Sequence, residues 1–242
     1  EGVDFTGKRV AVVGTGSSGI QSIPVIAAQA KHVTVFQRTA NFTLPAGNRP
    51  LKPEEIARSK ETLLEDRRHA RETPGGIICF EYNEALAEEM TPEAIANELE
   101  TRWNQGGFAF LGAYGDLMAT HEANHIAAEF ARAKMRASVK NKEVAEKLLP
   151  FDHPVGVKRL CLDTNYLQTF DESHVDLVDI REKPIERISK KGVVCGGKEY
   201  EVDAIVFATG FDAMTGALLS IDIKGRGGAA LREKWAAGPR TY

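Results

Sequence analysis

The run Gly14-Thr15-Gly16-Ser17-Ser18-Gly19 limits what this chain can fold into more than any other feature. Immediately before it, residues 8–13 (KRVAVV) are apolar and β-branched, the pattern of a parallel strand buried on both faces. After it, residues 18–30 carry small and apolar side chains at helical spacing. Pro24 is discordant there, and so early in a helix it bends more readily than it breaks. Residues 33–36 (VTVF) then read as a second buried strand. The whole is a β-α-β unit of about thirty residues, the size of one crossover.

A glycine-rich turn alone is a weak signal, and its placement between strand and helix is what gives it chemistry. Gly14 permits the tight turn, Gly16 lets the backbone approach a pyrophosphate, and Gly19 lets the helix pack closely on the sheet. The helix N-terminus then offers free N–H groups and a positive partial charge to phosphate. The end of the second strand distinguishes between dinucleotides. An NAD site places an acid about twenty residues on, to bond the ribose 2′-hydroxyl. Here the strand runs Val35-Phe36-Gln37-Arg38-Thr39 with no acid at its tip. A planar guanidinium at that position suits a 2′-phosphate, which it can hold through two hydrogen bonds. The residues therefore favour NADPH, although an arginine seen alone is often only solvated charge. A second basic pair, Lys158-Arg159, follows the Pro154-Val155-Gly156 loop, and spacing does not say whether it returns to the nucleotide.

The rest of the chain supports an α/β fold, a Rossmann-type three-layer dinucleotide-binding domain with an inserted helical subdomain. Residues 41–49 read as loop, with Pro45, Gly47 and Pro50 as breakers. From about residue 52 to 149 the sequence turns charged and alanine-rich, with helical candidates at 54–70, 92–104 and 116–149. Thr91-Pro92-Glu93 is a helix start, with a capping hydroxyl, proline at the first position, and an acid at the positive end of the dipole. The breakers Thr73-Pro74-Gly75-Gly76 and Gly106-Gly107 separate these helices. β-type sequence returns after Pro150, with a short strand at 175–178. A hairpin pairs Ile185–Ile188 with 193–195 about Lys190-Lys191-Gly192, and a buried strand at 204–208 closes at Thr209-Gly210. The expected organisation is a first part of the NADPH domain at 1–51, a helical insertion at 52–150, the second part at 151–210, and a segment at 211–242 leading towards a further domain.

Composition excludes several classes. A net charge of −3 gives no broad basic surface for nucleic acid or anionic membrane. Three scattered cysteines, Cys79, Cys161 and Cys195, have no metal-ligand spacing and suit a reducing, cytoplasmic setting as small hydrophobes. No run of roughly 18 apolar residues suggests a membrane span. The sequence starts at Glu1 close to a strand and stops at Pro239-Arg240-Thr241-Tyr242 with no signal peptide, so it reads as a piece of a longer polypeptide.

Several motifs in order resemble the Baeyer–Villiger monooxygenases of the cyclohexanone and phenylacetone monooxygenase type. They are Asp4-Phe5-Thr6-Gly7-Lys8-Arg9-Val10, the GTGSSGIQ run, Phe36-Gln37-Arg38-Thr39, Lys158-Arg159, Ala208-Thr209-Gly210-Phe211-Asp212, and Trp235 to Tyr242. The likeness covers nearly the whole chain and is weakest between residues 54 and 149. It implies a flavoprotein with FAD and NADPH domains, in which reduced flavin reacts with O2 and the flavin peroxide converts a ketone to an ester or lactone. It further implies that Arg38, Thr39 and Lys158 hold the 2′-phosphate. Gly14, Gly16, Ser17, Ser18 and Gln21 would surround the pyrophosphate and nicotinamide side. With Thr15, Gly19, Ala208, Thr209 and Gly210 these make up the candidate cofactor-binding set. Arg159 would be the catalytic arginine that stabilises the anionic oxygenated flavin and the rearranging intermediate. The family's FAD-binding glycine motif and its FxGxxxHxxxW fingerprint do not occur in this sequence. The chain is thus expected to bind NADPH but to depend on the FAD domain of a parent chain, and to be inactive alone. A flavin N- or S-monooxygenase, or a non-enzymatic NADPH-sensing module, would share the glycine turn.

One motif competes. His121-Glu122-Ala123-Asn124-His125 matches HExxH, which on a helix puts two zinc-binding histidines on one face with a glutamate as base. Glu143 or Glu146 could supply a third ligand. Two polar histidines on a charged helix explain the match more simply, and no metal is expected. Asn41-Phe42-Thr43 is a glycosylation sequon without meaning in a chain lacking a secretion signal. Trp103, Phe108 and Phe110 read as packing, and Arg67-Arg68-His69-Ala70-Arg71 as a solvated helix face.

Overall fold

The computed structural model describes residues 2–73, 76, 78, 80–211 and 215–240. Cys79, Pro74 and Gly75, and Asp212, Thr241 and Tyr242 of the quoted motifs, lie outside the described residues. The chain divides into two compact units, Glu1–Ala208 and Thr209–Tyr242.

The first unit is built on a four-stranded parallel sheet in the order β5-β2-β1-β9, formed by β1 (Arg9–Val13), β2 (His32–Gln37), β5 (Val175–Asp179) and β9 (Ala204–Phe207). In order of appearance that is 3-2-1-4, the doubly wound arrangement whose strand order reverses beside the first strand. Alternation along β1 and β2 builds three layers. Val10, Val12, Val33 and Val35 face α1 (Ser17–Ala27) and the inserted helices, while Ala11, Val13 and Phe36 face an antiparallel meander. The meander consists of β6 (Ile185–Ile188), β7 (Gly192–Cys195) and β8 (Lys198–Glu201). The sequence pattern shows β6 and β7 but hides β8, because Lys-Glu-Tyr-Glu is a solvated edge strand with no apolar alternation. At the amino edge of the sheet, Arg9 donates to Asp203 at 2.8 Å and to Glu201 at 2.9 Å, tying β1 to the lead into β9.

The excursion between β2 and β5 departs from expectation in two places. Residues 41–49 are not all loop: β3 (Thr43–Pro45) pairs in parallel with β4 (Cys161–Asp163), a partner over a hundred residues away that no local pattern reveals. The long helix expected over 116–149 is two helices, α4 (His121–Ala137) and α5 (Lys142–Leu148). α4 begins where the Thr120 hydroxyl accepts the Ala123 N–H at 3.2 Å. α5 begins where Asn141 Oδ1 accepts from Glu143 and Val144, the capping chemistry that starts a new helix. α2 (Pro53–Ala70) has no buried residue, and its Arg67, Arg68 and His69 are a solvated last turn. α3 (Pro92–Gln105) takes its cap from Thr91, whose hydroxyl accepts the Ala94 N–H. Trp103, Phe110 and Phe130 pack with ring centroids 5.9 to 6.0 Å apart, and all three belong to the main core or pack against it. That same core runs without a break from the parallel sheet into the insertion. A short α6 (Tyr166–Thr169) leads to β5.

Among its described residues the second unit holds the single-turn α-helices α7 (Gly216–Leu219) and α8 (Leu231–Lys234), a 3-10 turn at Arg226–Gly228 and a bridge between Lys224 and Ala230. Among the described residues no helix is long and apolar enough to cross a membrane.

Candidate nucleotide-binding site

The glycines of the turn have three separate physical reasons. Gly14 sits at φ +108°, a conformation that side chains avoid, and its N–H donates to the Phe36 carbonyl at 3.0 Å, locking the turn to the end of β2. A Cβ on Gly19 would collide with the Gly14 carbonyl oxygen and stand 3.7 Å from the Ala208 Cβ beyond β9. Only glycine lets the first turn of α1 lie there. A Cβ on Gly16, at φ −83°, would meet nothing within 4 Å. No contact among the described residues requires glycine at that position, so its lack of a side chain keeps space open in front of α1. α1 has no side-chain cap and no acid in its first turn. Its leading N–H groups and positive dipole end are left for an anion. These residues fit a dinucleotide pyrophosphate. Ser17 and Ser18 lie in this turn, and Gln21 donates to the Ser17 hydroxyl at 3.3 Å.

Three segments converge beside the turn. The buried Thr15 hydroxyl donates to the Thr39 carbonyl at 2.9 Å, so the loop carrying Arg38 is fastened directly to the glycine turn. Asn41 Nδ2 donates to the Arg159 carbonyl at 3.1 Å and to Cys161 Sγ at 3.2 Å, and the Cys161 N–H donates to the Phe42 carbonyl. This clamp carries Lys158-Arg159 back to the tip of β2, a return that sequence spacing left open. Burial pushes the Cys161 thiol up, against hydrogen bonds from Ser17 and Asn41, so it is a packing group joining α1 to β4. On the other side of β2, Gln37 lies opposite Asp179, and Ile180 donates to the Gln37 carbonyl at 2.9 Å. Arg181, which the sequence did not single out, follows and is paired with Asp179. Its signal would have been a base just past a strand neighbouring β2, legible only once the strand order is known.

The basic side chains differ in how they are held. Arg38 and Arg159 are exposed and have no ion pair among the described residues. Lys158 lies 3.7 Å from Asp152. Asp152 is held below the usual carboxylate range: burial raises it, but a hydrogen bond from His153 and the charge of Lys158 outweigh that. His153 Nδ1 and Asp152 Oδ1 are 2.6 Å apart, and the ionised carboxylate makes the imidazole the donor. The loop is anchored from the insertion by Arg132, whose Nε donates to the Pro150 carbonyl at 2.7 Å. Its guanidinium lies 5.4 Å from the Phe42 ring and 5.0 Å from the Phe151 ring. Ala208 N–H donates to the Val13 carbonyl at 2.8 Å, placing the end of β9 at the same edge of the sheet. Thr209 and Gly210 belong to the second unit, so the site described here is confined to the first.

The HExxH histidines adjoin this site through the Asp152–His153 loop and form no metal cluster among the described residues. His121 and His125 line a cleft with Asn124, Arg132 and His153. Glu143 and Glu146, the acids considered as a third ligand, sit on the separate α5 in ion pairs with Lys147 and Arg136. Among the described residues no three histidine, cysteine or acidic groups are placed to hold a metal ion.

No family model matches the chain. Among known proteins it is 41% identical over 251 residues to 2-oxo-Delta(3)-4,5,5-trimethylcyclopentenylacetyl-CoA monooxygenase of Pseudomonas putida, covering 100% of this chain and 44% of that protein. It is 42% identical over 247 residues to cyclopentanone 1,2-monooxygenase of Comamonas sp., with the same coverage. A phenazine N-monooxygenase of Lysobacter antibioticus is 37% identical over 99% of the chain and 44% of its own length. Of solved structures, an oxidised steroid monooxygenase bound to NADP superposes at a TM-score of 0.92 with 48% identity, over 100% of this chain and 46% of that one. OTEMO in complex with FAD and NADP superposes at 0.94 with 39% identity, over 100% and 45%. The chain therefore spans a little under half the length of these relatives, and along all of its own length it is similar to such monooxygenases, a Baeyer–Villiger monooxygenase of Pseudooceanicola batsensis at 37% identity among them.

Proposed function

We propose that the chain is the NADPH-binding part of an FAD-dependent Baeyer–Villiger monooxygenase that oxidises ketones with O2. In this reading residues 1–51 and 151–210 form the NADPH domain, 52–150 the helical insertion, and 211–242 the return towards a flavin domain. The observation that carries it is the fastening of Arg38 to the glycine turn through Thr15 and Thr39, with Lys158-Arg159 clamped alongside by Asn41. The N-terminus of α1 and the open face of Gly16 receive the pyrophosphate, while Arg38, Thr39 and Lys158 take the 2′-phosphate. Gly14, Thr15, Ser17, Ser18, Gly19, Gln21 and Ala208 shape the floor between them. Bound NADPH would supply a hydride to the flavin, whose reduced form activates O2 for conversion of the ketone to an ester or lactone. Arg159, an exposed guanidinium without a counter-ion among the described residues, would face that chemistry and stabilise developing negative charge.

The test is Arg38→Ala with equilibrium titration of both nucleotides. A charge-assisted, two-pronged bond to phosphate is worth about 1.5–3 kcal/mol, so NADPH should weaken by about 10- to 100-fold while NADH stays nearly unchanged. Equal losses for the two would remove the 2′-phosphate assignment. The chain holds one glycine turn of this kind, assigned to NADPH, so it should purify without flavin; stoichiometric flavin absorbance would contradict that. Similarity to a phenazine N-monooxygenase favours nitrogen oxidation as a second reading, which oxygenation of a heteroaromatic nitrogen in preference to a cyclic ketone would support.

A further inference from the structure

We propose that Asp152 is a specificity-determining residue for the nucleotide's 2′-phosphate, its carboxylate occupying Lys158 when the nucleotide is absent and competing with the phosphate for it. This rests on the assignment of Arg38 and Lys158 to that phosphate.

The geometry makes the lysine the exchangeable partner and the carboxylate the fixed one. At 3.7 Å, Lys158 Nζ and Asp152 Oδ2 attract each other without the short contact of a charge-assisted hydrogen bond. Asp152 is held on its other oxygen by His153 Nδ1 at 2.6 Å. That imidazole is fixed in turn: its side chain is 5% exposed, and it meets the Phe42 ring edge to face at 5.5 Å. Phe42 lies between Asn41, which clamps Arg159, and Thr43, which pairs with Cys161. The carboxylate thus belongs to the same rigid stitching that brings the basic segments together, whereas Lys158 reaches it on a flexible four-carbon stem. The charged groups acting on Asp152 are His153, Lys158 and, further off, Arg181, already committed to Asp179, and His121, His125 and Arg132 line the same cleft.

A phosphomonoester carries nearly two negative charges at neutral pH and offers three strong acceptor oxygens. It draws Lys158 away from a single, loosely engaged carboxylate. Asp152 then remains beside the phosphate as an uncompensated negative charge, lowering NADPH affinity below what Arg38 and Lys158 could give. NADH carries only an uncharged hydroxyl at this position, which does not draw Lys158 from the carboxylate. Because the pair is solvent-exposed, the effect is modest, about 2- to 5-fold in affinity.

The experiment compares the full-length protein carrying this chain with its Asp152→Asn and Arg38→Ala variants, using equilibrium dissociation constants for NADPH and NADH. Asp152→Asn keeps the shape and the oxygen that accepts from His153 while removing the charge. The expected result is NADPH binding about 2- to 5-fold tighter with NADH unchanged. Unchanged or weaker NADPH binding, or equal tightening of both nucleotides, overturns the proposal. If Arg38→Ala selectively weakens NADPH while Asp152→Asn fails, only the role of Asp152 falls. If Arg38→Ala weakens both nucleotides equally, the 2′-phosphate assignment falls and the proposal with it.

Discussion

Gly16 and Gly19 differ by three positions and by opposite surroundings, and substituting each by alanine should separate packing from binding. At Gly19 the new methyl would collide with the Gly14 carbonyl oxygen and come within 3.0 Å of its carbonyl carbon. Neither side can give easily, because Gly14 is held at φ +108° and bonded to Phe36, and α1 is pinned by Ile20 and Ile23 in the core. Overpacking of this kind costs about 3 kcal/mol at the severe end, and alanine's better helix propensity returns about 1 kcal/mol. The net loss is about 2 kcal/mol, or roughly 4–8 °C in Tm for a chain of this size. At Gly16 the same methyl meets nothing, at a φ any residue can adopt. Stability should change by less than about 1 kcal/mol, the scale of a capping preference. On the proposed reading the methyl would stand where the pyrophosphate approaches, so NADPH affinity should fall by about tenfold or more. Thermal and denaturant melts together with nucleotide titration measure both quantities. If Gly16→Ala destabilises the fold as much as Gly19→Ala, or binds NADPH as well as the parent, the division of roles is wrong.

Two further outcomes follow from bonds around the site and the sheet. Thr15→Val keeps the shape of a buried side chain but removes the donor to the Thr39 carbonyl. It should cost about 1 kcal/mol in denaturant unfolding and weaken NADPH more than NADH; a selective effect missing from the titration would show that the fastening does not position Arg38. At the amino edge, hydrogen bonds from Arg9 hold the Asp203 carboxyl at about 2. A folded pKa below the ordinary value means that the pair's stabilisation is present above about pH 4 and is lost as pH falls towards about 2. Denaturant melts across that window should show a shallower acid dependence for Arg9→Ala than for the parent, and identical slopes would refute the linkage.

The local pattern determined the β-α-β unit almost entirely. Strand burial, the glycine turn, the helix and the basic tip of β2 all depend on neighbours within about forty residues, and each has a periodicity or backbone requirement that residue types state directly. The same locality explains what was missed. β8 is a charged edge strand whose existence depends on β7 beside it, and β3 exists only because Cys161 to Asp163 lie alongside. The break between α4 and α5 was written in Asn141 but masked by the helical composition around it.

For the site, the sequence supplied the chemical identities of Arg38, Lys158 and Arg159, and tertiary structure supplied their meeting. Lys158-Arg159 lies more than a hundred residues beyond Arg38, and the return is made by Asn41, Phe42, Arg132 and His153, side chains with no motif of their own. Hydrogen bonds between residues so distant in sequence have no periodicity and no fixed spacing. They depend on how the helical insertion packs, which is set by the shape of a shared core. The same holds for Asp152 and Arg181, whose places beside Lys158 and the end of β2 come from loop closure and strand order. The glycine turn was determined by the sequence because its constraint is backbone geometry over six residues; the basic cluster around it was decided only by the fold.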